Sequence, residues 1–164
     1  MITYFCSKSE LNIGKLKHLY RQRIEEQRSL KYGNFSCSLG MLEAEQDFYF
    51  NIDSMFNIEG SAIAVLRLND TYISSLRLEK MDDGVLINGF ETDPDYVGRG
   101  YGKLLMMRVC DDVKRNSNLQ IFSHIKPDNA VSIHLHEVCG FKILHRFANL
   151  LDGSKSFDYY TWVL

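Results

Sequence analysis

Three consecutive β-rich runs in the middle of the chain constrain the fold more than any other feature. Ala62 to Leu68, Tyr72 to Leu78 and Val85 to Thr92 are rich in β-branched and aromatic residues. They are separated by Asn69-Asp70 and by Asp82-Asp83-Gly84, residue types that favour tight turns. Connections this short can join only antiparallel neighbours. The chain is therefore predicted to contain a three-stranded antiparallel meander.

One strand and two helices are expected before the meander. Ile2 to Phe5 is predicted to be a strand, and apolar residues from Ile13 to Ile24 recur at helical spacing after a cap at Ser7 or Ser9. A second helix is predicted from about Leu42 to Phe56, after a connection over residues 33–40. The basic side chains of the first helix are interpreted as a solvated face: Lys15, Lys17, Arg21 and Arg23.

After the meander the pattern alternates between helix and strand. A glycine-rich turn, Gly98 to Gly102, opens a helix and is followed by a strand from Leu119 to Ile125 and a short helix from Asn129 to Cys139 that Gly140 would cap. Two final strands, about 141–147 and 157–164, would form a hairpin across Asp152-Gly153. The order β, α, α, β, β, β, α, β, α, β, β predicts one domain, residues 1–164, with a mixed sheet and helices on its faces.

Composition excludes several classes of partner. The 164 residues carry 19 Lys and Arg against 21 Asp and Glu, for a formal charge of −2, so no nucleic-acid partner is expected. No apolar run approaches the roughly 20 residues of a membrane span and the N-terminus does not resemble a signal peptide, which predicts a cytoplasmic protein without a membrane partner. Four cysteines are expected to be free thiols there: Cys6, Cys37, Cys110 and Cys139.

The glycine-rich turn is the strongest local indication of chemistry. Glycines between a strand and a helix can direct their N–H groups to one point, and the helix N-terminus adds partial positive charge, so Gly98 to Gly102 is predicted to bind phosphate. A dinucleotide-binding turn would need different glycine spacing and an acidic residue where Gln120 stands. A nucleotide-triphosphate loop would need Ser or Thr where Leu104 follows Lys103.

Two segments resemble the GNAT acyltransferase superfamily. Val97 to Gly102 is similar to its phosphate loop, Gln or Arg, two residues, Gly, one residue, then Gly or Ala, although Val97 replaces the usual Gln or Arg. Asn129 to Phe141 is similar to its Asn, Ala-Ser-Ile, Leu-Tyr-Glu, Gly-Phe segment. The resemblance extends from about Ser61 to Leu164 and implies an α/β (α+β) fold with a twisted, mostly antiparallel sheet of about seven strands and about four helices.

The resemblance implies acetyl-CoA as cosubstrate and an N-acetyltransferase activity without a metal. By position in the two motifs, it implies these CoA-binding residues: Thr92, Val97, Gly98, Arg99, Gly100, Tyr101, Gly102, Asn129 and Ser132. His134, His136 and Cys139 are not predicted to share a metal ion, since residues two apart on a helix point in different directions. Cys139 is interpreted as a core residue.

Three residues are candidates for proton transfer. His124 and His136 occupy the positions at which the family often has a strand Glu as base and a helix Tyr as acid. Glu91, on the strand before the loop, is a third candidate and could equally form a salt bridge. Each histidine could instead serve only in packing or hydrogen bonding.

The acceptor is expected to be an amine on a small molecule or a peptide, and Asp82, Asp83 and Glu91 favour a cationic one. A CoA-binding sensor without turnover is the alternative, because the usual Glu and Tyr are missing. Tyr159, Tyr160 and Trp162 could contribute to a homodimer contact or pack within the monomer.

Overall fold

The computed structural model describes residues 1–33, 38–149 and 154–164. The helices are α1 (Ile13–Leu19), α2 (Arg21–Tyr32), α3 (Ser38–Phe56), α4 (Tyr101–Asn116) and α5 (Ala130–Val138). The strands are β1 (Ile2–Phe5), β2 (Ala62–Leu68), β3 (Thr71–Lys80), β4 (Gly84–Thr92), β5 (Gln120–Ile125), β6 (Lys142–His145), β7 (Ala148–Asn149), β8 (Lys155–Ser156) and β9 (Tyr160–Val163). Short 3-10 turns cover Lys8–Glu10 and Pro94–Tyr96.

The sheet confirms the predicted meander and the predicted number of strands. Seven strands lie in the order β1-β2-β3-β4-β5-β9-β6, and every neighbouring pair is antiparallel except β4 and β5. The two remaining strands, β7 and β8, form a separate two-stranded ribbon. The chain therefore has the mixed, mostly antiparallel architecture that its sequence predicts.

Each face of the sheet is covered by its own helices and its own core. Side chains of α1 and α3 pack with Ile63, Val65 and Tyr72 on one face. Side chains of α4 pack with Leu76, Ile87 and others on the opposite face. We call these the α2 face and the α4 face, after the helices that approach the end of β4.

The first predicted helix is two helices, which raises the count among the described residues from about four to five. The break falls at Tyr20, whose backbone (φ −87°, ψ 6°) leaves the helical region. Its buried hydroxyl donates a hydrogen bond to the Gly89 carbonyl on β4. The predicted cap is also wrong, because Asn12 caps α1 by accepting from the Lys15 N–H at 3.0 Å.

The four basic residues interpreted as one solvated face are only half-exposed, and all of them form ion pairs. Lys15 pairs with Asp70 and Lys17 pairs with Glu45. Arg21 and Arg23 pair with carboxylates at the end of the meander, Arg21 with Asp93 and Arg23 with Glu91. The spacing on one helix could not reveal this, since the partners follow about 70 residues later.

The C-terminal part largely follows the prediction. Gly140 (φ 93°) ends α5 in a Schellman motif: the Gly140 N–H donates to the Glu137 carbonyl and the Phe141 N–H donates to the His136 carbonyl, each at 3.0 Å.

The two final strands pair as predicted, although β9 also inserts between β5 and β6. Trp162 is buried in the core, so it packs within the monomer. The predicted Asp152-Gly153 turn and Cys37 lie outside the described residues, whereas Cys6, Cys110 and Cys139 are free thiols.

Candidate active site

A β-bulge in β4 determines which side chains face each side of the sheet. Ser75 pairs with Glu91 and Arg77 pairs with Asn88, so two residues of β4, Gly89 and Phe90, oppose one residue of β3. Side chains alternate along a strand, and the extra residue shifts this alternation by one position. Glu91 consequently lies on the α2 face.

The parallel pairing of β4 with β5 stops early. The last registered pair is Ile87 with Ser123, while β4 continues to Thr92 and β5 to Ile125. Beyond this pair, no residue of β4 is registered with a residue of β5 in the part of the chain that the structure describes. A sheet edge that opens in this way offers N–H and C=O groups to an extended ligand.

The glycine-rich turn has the geometry that phosphate binding needs. Gly98 (φ 77°) and Gly100 (φ 81°) adopt the left-handed conformation that favours glycine, and a Cβ on either would meet only open space. Gly100 is the N-cap of α4 and offers no side-chain cap, so the first N–H groups of this 16-residue helix lack an intrahelical partner. Such N–H groups are the kind that bind anions at helix N-termini, and CoA binding by residues 98–102 stays a prediction.

The side chains of the turn contribute little to its shape. Val97 points into solvent, which explains how an apolar residue is accommodated at this position. Arg99 lies over the ring of Tyr96 at 5.4 Å, and Tyr96 contacts Tyr101 edge to face. The Arg99 charge is therefore held beside the open turn.

Gly102 is required for a different reason, the close approach of α4 to β4. A Cβ at this position would lie 2.9 Å from Cζ of Phe90 and 3.0 Å from Oγ1 of Thr92. Thr92 is itself fixed, since its hydroxyl and that of Ser74 are 3.0 Å apart. The predicted cofactor residues Thr92 and Gly102 thus lie against one another on the α4 face.

A buried ion pair holds the segment between β4 and the turn. The Asp93 side chain is only 2% exposed and accepts two hydrogen bonds from Arg21, at 2.7 and 3.0 Å. It also accepts from the Asp95 N–H at 2.9 Å and so caps the 3-10 turn that leads to Gly98. Burial raises the pKa of Asp93, but these donors outweigh it and hold the pKa below its usual value.

The start of α5 confirms one role of Asn129. Its side-chain oxygen accepts from the Ser132 N–H at 3.0 Å and caps the helix, which leaves the exposed amide nitrogen available for a ligand. CoA binding by Asn129 and Ser132 stays a prediction.

His136 lies lower on the same helix and is buried. Its Nδ1 donates to the Ser132 carbonyl at 2.7 Å, and its ring contacts Phe141 edge to face at 5.0 Å. Its Nε2 is buried and has no hydrogen-bond partner among the described residues. Burial lowers the pKa of His136, so the ring is neutral at pH 7. His134 is exposed on the other side of α5, and no three His, Cys, Asp or Glu side chains of the described residues gather as metal ligands.

Glu91 and His124 share the α2 face of the open strand ends. Glu91 forms an ion pair with Arg23, Oε2 to Nε at 2.9 Å, and Arg23 also donates to the Phe90 carbonyl at 3.1 Å. Burial raises the pKa of Glu91, although Arg23 opposes this shift, and burial lowers the pKa of His124. The shift moves the pKa of Glu91 toward neutral pH, whereas the shift of His124 favours its neutral, unprotonated ring.

A cavity of about 160 Å³ opens on the α2 face beside the bulge. Its lining combines an apolar wall from α2 and α3 with arginines and amides: Tyr20, Arg23, Ile24, Gln27, Asp47, Phe48, Asn51, Ile52, Arg77 and Gly89. Asp82 and Asp83, which were expected to favour a cationic acceptor, lie in the turn before β4 at the opposite end of that strand. They are therefore separated from this cavity and from the glycine-rich turn.

The comparison with known families agrees with the geometry. The model of the acetyltransferase (GNAT) family matches residues 24–141. The chain belongs to this family. Among curated proteins, the [ribosomal protein bS18]-alanine N-acetyltransferase of Salmonella typhimurium strain LT2 is 30% identical over 61 residues, which is 37% of this chain and 40% of that relative.

Solved structures share the fold over the whole chain. The ribosomal-protein-S18-alanine N-acetyltransferase of Escherichia coli superposes with a TM-score of 0.65 and 18% identity, covering 100% of this chain and 93% of that one. The PaiA N-acetyltransferase of Thermoplasma acidophilum, solved in complex with coenzyme A, gives 0.63 and 14%, covering 99% and 98%. An acetyltransferase of Streptococcus agalactiae gives 0.66 and 22%, covering 99% and 96%.

Several residues at the site were not found by sequence reasoning. Tyr20, Arg21 and Arg23 were interpreted as packing or solvated positions, and Arg77 was not singled out. The sequence does hold one indication for Arg77, which is a charged residue between apolar neighbours in a predicted strand. No sign in the sequence connects Arg21 to Asp93.

Proposed function

We propose that this protein transfers an acetyl group from acetyl-CoA to a primary amine by direct attack in a ternary complex. The observation that carries the proposal is the open glycine-rich turn at the N-terminus of α4, which follows shortly after the end of β4, where β4 pairs with β3 but no longer with β5. A diphosphate on the turn and an extended arm along β4 would bring a thioester to the gap between β4 and β5. The CoA complex of a structure with the same fold supports this assignment.

On the donor side, the turn N–H groups of residues 98–102 hold the diphosphate, with Arg99 adding charge. Asn129 offers its free amide nitrogen to the pantetheine or diphosphate, and Ser132 lies one turn further along α5. The Thr92 region supplies backbone groups that polarise the thioester carbonyl as it becomes an oxyanion.

On the acceptor side, Glu91 and His124 receive the proton of the amine. An alkylammonium has a pKa of about 10.4, so a proton must leave before the nitrogen attacks the carbonyl carbon. The new C–N bond then forms, the C–S bond breaks with its electron pair on the departing thiolate, and the nitrogen gives up a second proton, to the base or to solvent, as it becomes the amide. Glu91 and His124 suit this step because they lie on the α2 face, opposite α4.

The thiolate finally takes up a proton, for which His136 is the predicted donor. In the resting geometry its only ring proton is bonded to the Ser132 carbonyl, and burial opposes a second one. The contacts of the ring thus favour a packing role, and acid catalysis by His136 stays a prediction to be tested by substitution.

Isothermal titration calorimetry with acetyl-CoA and with CoA tests the first requirement of the proposal, which is binding of the cosubstrate. We expect binding at micromolar to millimolar concentrations and thiol release from acetyl-CoA when a panel of amines is added. A protein that binds neither ligand would refute the proposed function.

The second candidate is a CoA-binding sensor without turnover, favoured by the buried, neutral state of His136. This candidate predicts CoA affinity without thiol release for any amine. Thiol release that depends on one amine and is lost in a Glu91→Gln, His124→Ala double variant would exclude it.

We also propose that residues 1–164 act as one domain, supported by the single seven-stranded sheet that includes both β1 and β9. The free thiols of Cys6, Cys110 and Cys139 fit a reducing compartment such as the cytoplasm. None of the helices in the described ranges is both long and apolar enough to cross a bilayer. A homodimer stays a prediction that light scattering can test.

A further inference from the structure

Arg77 is a largely buried cation whose Nε is buried without a hydrogen-bond partner among the described residues. It lies in the middle of β3 on the α2 face, between Ile63 of β2 and Asn88 of β4, and its side chain is 15% exposed. Its only ionic partner is Glu79, at 3.4 Å from Nε, and within residues 1–33, 38–149 and 154–164 the guanidinium makes no hydrogen bond. Burying the Nε donor without an acceptor is costly, and a ligand that accepts hydrogen bonds from this guanidinium would offset part of that cost.

The bulge in β4 makes room for this side chain. A Cβ at Gly89 would lie 2.6 Å from Nε and 3.1 Å from Cζ of Arg77, so the guanidinium rests directly on the glycine backbone. Both residues line the 160 Å³ cavity. The planar donor fork is thereby held at the cavity wall.

The charges beside the cavity balance, so an anion would be held there by hydrogen-bond donors rather than by a net positive charge. Each carboxylate has a cationic partner: Glu91 pairs with Arg23, Asp47 with Lys31 at 2.5 Å, and Glu79 with Arg77. Arg23 uses only Nε and one Nη2 hydrogen in its described bonds, so it retains free donors toward the cavity. A guanidinium fork matches a carboxylate through two parallel hydrogen bonds.

The cavity is small compared with the roughly 300–1,000 Å³ of sites that enclose drug-sized ligands. It can enclose a short acidic group but not a long polyamine. Gly89 at its wall and Glu91 at the proposed base are two residues apart on β4, across the bulge, and so at most about 7 Å apart along the chain. An amine and an acidic group separated by a few bonds would reach both places.

We propose that the acceptor is a small amino acid, whose carboxylate binds Arg77 in this cavity while its amine is presented at Glu91. This inference rests on the proposed acetyl transfer and narrows its substrate class. It replaces the expectation of a cationic acceptor with a zwitterionic one.

The test compares acceptors that differ only in the carboxylate. Acetyl-CoA-dependent thiol release is measured with α-, β- and γ-amino acids, with their carboxamides, with the corresponding decarboxylated amines, and with peptides that carry the same residue at the N-terminus. We expect kcat/KM to be roughly 10- to 100-fold higher for a free amino acid than for its carboxamide, as the loss of a charged hydrogen-bond partner predicts. Equal rates for acid, amide and amine overturn the inference, as does a preference for decarboxylated polyamines or for peptides.

Substitution of Arg77 adds a matched comparison. Arg77→Met should lower kcat/KM for the preferred amino acid by roughly the same 10- to 100-fold and leave the carboxamide rate unchanged. Arg77→Lys keeps the positive charge but loses the planar pair of donors, so its kcat/KM for the amino acid should lie between the values of the native protein and of Arg77→Met. Arg67→Met is the control, because Arg67 lies on the neighbouring strand and does not line the cavity. Equal losses for acid and amide would show a merely structural role.

Failure of this inference can be told apart from failure of the proposed function. If the protein does not bind acetyl-CoA, the proposed transfer fails first. If it binds CoA but acetylates no amine, calorimetry measures binding of the same amino acids to the CoA-loaded protein. The inference is overturned if no amino acid binds at 10 mM, or if Arg77→Met leaves the binding unchanged.

Discussion

The ion pair between Arg21 and Asp93 should be a major determinant of both stability and CoA binding. Arg21→Met keeps most of the side-chain stem and leaves the Asp93 carboxylate, 2% exposed, without its guanidinium partner, so that the exposed His18 ring, at 3.8 Å, is the remaining basic side chain in contact with it among the described residues. Breaking a fully buried pair from one side costs about 3–5 kcal/mol. Because Arg21 is 33% exposed, solvent reduces the expected loss to about 2 kcal/mol in the free energy of unfolding. For a chain of this size, that loss lowers Tm by about 4–8 °C.

The pH dependence gives this prediction a sharper form. In the native protein the pKa of Asp93 is lowered, so its contribution is present above the unfolded pKa of about 3.9 and is lost as the pH falls through the lower folded value. In Arg21→Met, burial without the cation should raise that pKa above the unfolded value. The variant then gains stability as the pH falls through the raised pKa, and the difference from the native protein should narrow from pH 7 toward pH 4.

Urea unfolding at pH 7, 5.5 and 4 measures this difference, and titration with CoA measures the effect on the turn. Arg115→Met is the control, since Arg115 and Asp111 form an exposed pair at 3.8 Å whose loss should cost about 0.5 kcal/mol or less. Adding Asp93→Asn to Arg21→Met should recover part of the loss. A difference below about 0.5 kcal/mol at pH 7, or one that does not change with pH, would refute the reasoning.

Three further predictions concern the turn and the two histidines. Gly102→Ala should weaken CoA binding by at least tenfold and lower stability by about 1–3 kcal/mol, because its Cβ would lie 2.9 Å from Phe90. Gly98→Ala meets open space and should cost only the left-handed strain of about 1–2 kcal/mol, and equal CoA affinities in both variants would contradict this distinction. His136→Phe removes a buried nitrogen without a partner and keeps the ring contact, so kcat should stay within about twofold, and a loss above tenfold would instead establish His136 as the acid. In a plot of kcat/KM against pH, the activity should fall on the acidic side with an apparent pKa below the ordinary histidine value of about 6.5, since burial lowers the pKa of His124. If the same fall is seen in His124→Ala, another group causes it.

The sequence predicts the meander well because its strands are local features. The turns at Asn69-Asp70 and Asp82 to Gly84 join neighbours, so pairing requires no knowledge of distant residues. The phosphate turn is predictable for the same reason, since Gly98, Gly100 and the helix that follows lie within one short segment.

The acceptor side could not be predicted, because its geometry depends on contacts between distant parts of the chain. The break at Tyr20 is associated with a hydrogen bond to Gly89, 69 residues away. The orientation of Glu91 depends on one inserted residue in β4, which no spacing rule locates. Arg77 stands in an ordinary strand pattern, and only the cavity reveals its surroundings.

Because Arg21 and Arg23 both lie at the start of α2, binding of the donor and binding of the acceptor are mechanically coupled through this helix. Arg21 holds the segment before the phosphate turn, and Arg23, two residues later, holds the proposed base and lines the acceptor cavity. A movement of α2 therefore displaces both ends of the reaction path together. Substitutions in α2 that change the acceptor site should therefore also weaken binding of acetyl-CoA. Among related proteins, we expect changes of acceptor preference to arise from substitutions in α3 and at the cavity rim more often than from substitutions in α2.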